Sequence, residues 1–327
     1  MGYGPGWPRV RSRQHLTGLM QQTAPQIPAT IIAGYLGAGK TTLVNHLLRN
    51  NDGRRFAVLV NEFGELAIDA DLIESDEGDL LSLSGGCICC SYGSDLMDAL
   101  IKLSDRAADL DGLLIEASGV ALPGGIVSAL SLLPDYRADA VVVLADAETV
   151  IEKGQDRYLA DTIRRQLDDA DVVAINKRDL VSAEALAQVL TWLEAVAPEA
   201  KTITVERAEV PLGVLLGARP DEALAEGGHG HTHTEVEGFT TIKMIPDGTV
   251  DADALATALV APALGVVRAK GFVRDADDNM RTVQIVGRRY EVTEAPAGVQ
   301  PGLVAIGPSE QLDSDGIQAL VACFTHN

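Results

Sequence analysis

Gly34-Tyr-Leu-Gly-Ala-Gly-Lys-Thr41 constrains what this chain can fold into more than any other stretch. The pattern follows an apolar, β-branched run and precedes an amphipathic one, so it predicts a strand, a tight turn and a helix N-terminus in that order. Glycines let backbone N–H groups turn inward around phosphate oxygens, and the helix adds positive field at the same point. Lys40 is placed to reach the β and γ phosphates, and the Thr41 hydroxyl to hold Mg²⁺. The rest of the cradle is expected from Gly34, Gly37, Ala38, Gly39 and Thr42. The bland alternative is a glycine-rich turn that binds nothing; the lysine, the threonine and the strand–turn–helix context weigh against it. Lys40-Thr41-Thr42 also stands where a dinucleotide fingerprint would carry its third glycine, which disfavours a Rossmann dehydrogenase.

Short runs rich in Val, Ile and Leu recur after this loop, at 56–60, 112–116, 140–144, 172–175 and 202–205, with the first at 30–33. Helical patterns lie between them at 41–49, 94–110 and 183–197. Strands so continuously apolar are covered on both faces, as in a parallel sheet. The expected fold class is therefore α/β: a doubly wound, mostly parallel sheet forming a P-loop domain over 29–217. Residues 218–237 break the pattern with a Gly/His tract and read as a linker. Beyond it the order is strand 239–245, helix 251–260, strands 265–273, 281–292 and 303–307, and a last helix 309–324. Consecutive strands without crossover helices predict a smaller C-terminal α+β domain over 238–327, with an antiparallel sheet. Residues 1–28 carry Arg9, Arg11 and Arg13 without an apolar stretch after them, and read as a flexible extension rather than a secretory signal.

Net charge narrows the partners. With 47 acidic against 26 basic residues and a balance of −21, the chain lacks the basic footprint that nucleic-acid binding requires. No apolar run approaches the roughly 18–20 residues that span a bilayer, so no membrane role is expected. Three of the four cysteines fall within four residues, the opposite of a disulfide framework. That usage points to a reducing compartment and a cytoplasmic location.

Asn176-Lys177-Arg178-Asp179 closes the strand at 172–175. A buried carboxylate at Asp179 would accept hydrogen bonds from guanine N1–H and its exocyclic amine, and adenine offers neither, so GTP is expected over ATP. Glu116, at the end of the strand at 112–116, stands where the second metal-facing acid of such nucleotidases lies, and Gly119 is placed to sense the γ-phosphate through its backbone N–H. A structural strand-end glycine is the competing reading for Gly119.

The cysteines are Cys87, Cys89 and Cys90, directly after Gly85-Gly86. Cys87 and Cys89 share one side of an extended backbone. Cys87 and Cys90 would meet only in a helical turn, and the adjacent pair rarely serves one metal undistorted. Two thiolates of the three are expected to act, Cys87 among them, with further ligands from elsewhere. Soft sulfur suits Zn²⁺, Cu(I) or Co²⁺ rather than Mg²⁺ or Ca²⁺. A buried apolar cluster and a redox dithiol remain alternatives. Glu62 and Glu65, in the acidic segment 61–69, occupy the position of a switch and offer oxygen ligands to either metal. His229, His231 and His233 either collect metal loosely or simply belong to a polar linker. Cys323 reads as packing.

Taken in order, Gly34–Thr42, Asn61-Glu-Phe-Gly-Glu65 with Asp69, Gly86-Cys-Ile-Cys-Cys90, Glu116-Ala-Ser-Gly119, Asn176-Lys-Arg-Asp179 and Arg268-Ala-Lys-Gly-Phe272 resemble the CobW-type P-loop GTPases and metallochaperones. The resemblance runs from about residue 29 to the end. It implies GTP hydrolysis to GDP and phosphate with Lys40, Thr41 and Glu116 at the chemistry, and because no arginine finger can be named from the sequence the turnover is expected to be slow. That hydrolysis would be coupled to delivery of Zn²⁺ or Co²⁺ to a client metalloprotein or metal-insertion complex. A nucleotide-gated sensor or buffer without a client, and a GTPase assisting cofactor insertion, are the rival readings. The stretch Thr202–Ala208 departs from the family, with no Ser-Ala signature where the last base contacts would lie.

Overall fold

The computed structural model describes residues 26–60, 80–82, 94–106, 109–217, 232–236 and 238–326. Seven strands form one parallel sheet in the order β3-β2-β4-β1-β5-β6-β7. They are β1 (Ile27–Gly34), β2 (Phe56–Val60), β3 (Leu80–Ser82), β4 (Gly112–Glu116), β5 (Tyr136–Asp146), β6 (Val172–Asn176) and β7 (Lys201–Thr204). Every residue of β2, β4 and β6 is buried, as double-sided cover demands. The expected α/β class is what the molecule adopts, with β5 longer than its apolar run announced and β3 unannounced.

Helices cover both faces. On one side pack α2 (Ser94–Ser104), α3 (Pro123–Leu130), α4 (Val150–Gln155), α5 (Ala160–Asp168) and α6 (Ala183–Val196). On the other lie α1 (Lys40–Arg49) and the short α7 (Leu212–Leu216). Leu43, Val44 and Leu47 of α1 are fully buried, and each such side chain contributes about 1.5–3 kcal/mol. Helix α2 stops at Ser104, six residues short of the expected end.

The second sheet is antiparallel, in the order β13-β12-β11-β14-β9-β8. Its strands are β8 (Thr232–Val236), β9 (Phe239–Met244), β11 (Arg268–Arg274), β12 (Met280–Val286), β13 (Arg289–Glu294) and β14 (Gly302–Pro308). A small ribbon pairs β10 (Thr249–Val250) with β15 (Thr325–His326). Strand β8 falls inside the stretch read as linker and pairs with β9 as an edge strand. The run expected as one strand over 281–292 is a hairpin, turning between Val286 and Arg289. Helices α8 (Ala252–Leu259) and α9 (Ser314–Phe324) cover one face through Leu255, Leu259, Ile317 and Val321. The last helix begins five residues later than expected, because Asp313 caps it by accepting from Gly316 N at 2.9 Å.

The other face of this sheet packs on the parallel layer. Val267, Val286, Val304 and Ile306 join Val172, Ile203 and Leu215 in one apolar cluster. Beside it, Arg268 of β11 pairs with Asp139 of β5, both side chains almost fully buried. Arg137 holds the same carboxylate at 2.8 Å, and Arg289 reaches Asp171 at 2.9 Å. Burial alone would raise the Asp139 carboxyl, yet Arg268 and then Arg137 hold it below the usual carboxylate range.

Candidate nucleotide site

Strand β1 lies between β4 and β5, so the crevice at its C-terminal end is the topological switch point of the sheet, where ligands of such folds bind. The chain leaves β1 through Gly34-Tyr-Leu-Gly-Ala-Gly39 and enters α1 at Lys40. Gly34 (φ 134°) and Gly39 (φ 105°) take conformations that side chains resist. A Cβ on Gly34 would overlap the Leu144 carbonyl, and one on Gly39 would stand 2.5 Å from Asn176 Nδ2. Gly37 and Thr42 are exposed at the mouth, while Ala38 is buried beneath it. Lys40 is only 8% exposed, with Nζ donating to the Tyr35 carbonyl at 3.5 Å.

Two residues 75 positions apart meet at the first turn of α1: Thr41 Oγ1 donates to Glu116 Oε1 at 2.8 Å. Glu116 is 3% exposed and Thr41 is partly exposed, so a buried carboxylate and a half-buried hydroxyl, both hard oxygen donors, meet at the mouth of the phosphate loop. That donor set suits Mg²⁺. Gly119, three residues on, abuts the loop from the side: a Cβ there would lie 2.6 Å from Leu36 Cδ2 and 2.9 Å from Leu36 N.

At the base end, Asn176 bonds to protein at both ends of its amide. Nδ2 donates to Ala38 O at 2.9 Å, and Oδ1 accepts from Ala208 N at 2.8 Å. One side chain thus ties the phosphate loop to the turn after β7. Arg207 (φ 51°) and Ala208 (φ 59°) both adopt left-handed conformations in that turn. This is the stretch that sequence left without a base contact; two successive positive φ angles at non-glycine residues give no compositional signal. Lys177, also left-handed at φ 64°, donates to Asp146 Oδ2 at 2.7 Å. Asp179 is exposed rather than buried, on the short turn Arg178–Leu180. The argument against adenine therefore applies only when a base itself covers that carboxylate.

Of the residues expected to hold a transition metal, Glu62, Glu65, Cys87, Cys89 and Cys90 lie outside the described residues, as do His229 and His231. His233 falls on β8. Cys323 is exposed on α9, which corrects its reading as a packing residue. Among the described residues no helix is long and apolar enough to cross a membrane.

Fold and site together define a P-loop GTPase-type protein: a glycine-lined phosphate loop at the switch point of a parallel sheet, a Thr–Glu pair at its mouth, and an Asn-Lys-x-Asp turn beyond. The family model for the CobW/HypB/UreG nucleotide-binding domain matches residues 28–204, and that for the cobalamin synthesis protein cobW C-terminal domain matches 239–324. The chain belongs to the CobW family. It is 35% identical to the zinc chaperone CobW of Pseudomonas aeruginosa, over 86% of each chain. It is 32% identical to the zinc chaperone CobW of a Sinorhizobium species, over 91% of this chain and 97% of the relative. The crystal structure of the Zn(II)-bound YjiA GTPase from Escherichia coli aligns at 24% identity with a TM-score of 0.46, over 93% of this chain and all of that one.

Proposed function

We propose that this protein is a GTP-hydrolysing zinc chaperone whose metal affinity depends on its nucleotide state. The observation that carries the reading is the part-buried Thr41–Glu116 contact at the mouth of the phosphate loop, in a chain whose relatives over most of its length are named zinc chaperones. The phosphate loop binds the triphosphate through backbone N–H groups from Gly34 to Thr42, and Lys40 swings from the Tyr35 carbonyl to the β and γ oxygens. Thr41 and Glu116 would hold Mg²⁺, which supplies charge neutralisation on the phosphates. Asp179 accepts from the guanine edge, with Lys177 held alongside by Asp146. Hydrolysis transfers the γ-phosphoryl group to water, breaking its bond to the bridging oxygen and leaving GDP and phosphate.

Zinc is cargo in this reading. Two thiolates from Cys87, Cys89 and Cys90, Cys87 among them, bind the metal, and Glu62 and Glu65 of the acidic segment 61–69 supply oxygen ligands that connect it to the γ-phosphate. Cobalt shares the same ligand preferences; the names of the relatives favour zinc. The client is a metalloprotein or metal-insertion complex, and a chaperone differs from a buffer in needing a nucleotide-dependent partner.

Zinc titrations with a non-hydrolysable GTP analogue, with GDP and without nucleotide test the coupling. Affinities are expected to differ by about 5- to 150-fold between the triphosphate and the other two states, and to collapse when Cys87 and Cys89 are both replaced by serine. Equal affinities in all three states would overturn the coupling. Zinc binding that survives both substitutions would overturn the thiolate assignment.

A further inference from the structure

The loop between β4 and α3 carries two features that the reading so far leaves unused. Ser118 is 7% exposed, and its hydroxyl has no hydrogen-bond partner among the described residues. Buried hydroxyls are nearly always bonded, so an orphan in a folded protein calls for an explanation. Its place suggests one. Two residues before it, Glu116 touches Thr41; one residue after it, Gly119 presses against the Leu36 backbone. The hydroxyl therefore sits on a segment that meets the phosphate loop on either side of it.

The second feature is what holds that segment. Gln166 of α5 is 1% exposed and lies 47 residues away in sequence. Its Nε2 donates to Gly119 O at 3.2 Å and to Ala121 O at 2.8 Å, using both amide hydrogens. A fixed carbonyl fixes its whole peptide plane, so Gln166 also sets the direction of the Val120 and Leu122 N–H groups. Asp169, just beyond the same helix, accepts from Gly124 N at 2.9 Å and pins the start of α3. Helix α5 thus grips the segment at two backbone positions, and its C-cap residue holds the start of α3 at a third. A glutamate could not donate at the Gln166 position when ionised, and a leucine could not donate at all.

We propose that the Ser118 hydroxyl bonds to the terminal phosphate of bound nucleoside triphosphate, and that Gln166 is the positioning residue that holds it there. The inference rests on the nucleotide reading above and goes beyond it by assigning a contact for triphosphate over diphosphate. Binding gives the orphan hydroxyl its partner, a stabilisation that GDP does not provide.

The test uses full-length protein with the variants S118A, Q166L and Q166E. Binding of GDP and of a non-hydrolysable GTP analogue is measured together with thermal melting and GTP turnover. S118A is expected to weaken the GTP analogue roughly tenfold or more, to leave GDP within about twofold, and not to lower the melting temperature, because it removes an unsatisfied hydroxyl. Q166L and Q166E are expected to show the same split between the two nucleotides. Equal losses for GDP and the analogue, or no loss for either in S118A, would overturn the proposal while wild-type binding stands. A wild-type protein that binds neither nucleotide would remove the premise and the proposal together.

Discussion

Asp139 is a single carboxylate shared by two arginines from different parts of the chain, Arg137 beside it on β5 and Arg268 on β11. Removing one partner of such a buried set leaves the others uncompensated, so Asp139→Asn is expected to cost about 3–5 kcal/mol in chemical denaturation. The pH dependence has a definite sign. The folded carboxyl titrates below its unfolded value, so its contribution is complete above about pH 4 and is lost as pH falls through the folded pKa. Wild-type stability should therefore fall in strongly acidic solution more steeply than that of the asparagine variant. Parallel slopes in that window would count against the assignment. Asn176 shows a different economy at the same scale. With its amide bonded at both ends, it acts as a joint between two loops, which its place in an Asn-Lys-x-Asp tetrapeptide does not reveal.

Among the elements, the phosphate loop was the most legible from sequence and α5 the least. The loop announces itself because its requirements are local: Gly34 must take φ 134° within reach of the Leu144 carbonyl, and only glycine does so freely. Gly34→Ala is expected to cost about 1–3 kcal/mol and to abolish binding of both GDP and GTP. Urea denaturation and fluorescent-nucleotide titration check the two effects separately. Helix α5 carries no such mark. Ile163 and Leu167 give it an ordinary apolar stripe, and nothing in the sequence says that Gln166 between them turns inward to grip a loop on another element. The hairpin at 286–289 was missed although Gly287 (φ 59°) marks it, since a turn of only two residues leaves the apolar positions on either side close enough to read as one run. The edge strand β8 was missed because its sequence, Thr-His-Thr-Glu-Val, has no apolar run, as an edge tolerates.

For the whole molecule, the two sheets share one apolar cluster and the Asp139 and Asp171 ion pairs. Neither sheet can lose its packing without exposing the other's. Calorimetric unfolding of the nucleotide-free protein is therefore expected to give one transition, with equal calorimetric and van't Hoff enthalpies. Two separated transitions would show that the shared cluster does not couple the layers. The nucleotide site lies at the C-terminal ends of the parallel strands. Asp139 and Asp171, by contrast, lie toward the N-terminal ends of β5 and β6, so the ion pairs to the second sheet form at the end away from the crevice.

The sequence by itself determined the class of the parallel layer, the phosphate loop, the Asn176–Asp179 turn and the resemblance that family matching then established. These features are written in short segments, where backbone conformation and one or two side chains meet their chemical needs locally. Tertiary structure alone decided that Thr41 meets Glu116, that Asn176 joins Ala38 to Ala208, and that Gln166 holds the loop bearing Ser118. It also decided that Asp139 binds an arginine 129 residues away. Each of these depends on which strands become neighbours, and strand order follows from how all the apolar faces are buried at once rather than from any one stretch of residues.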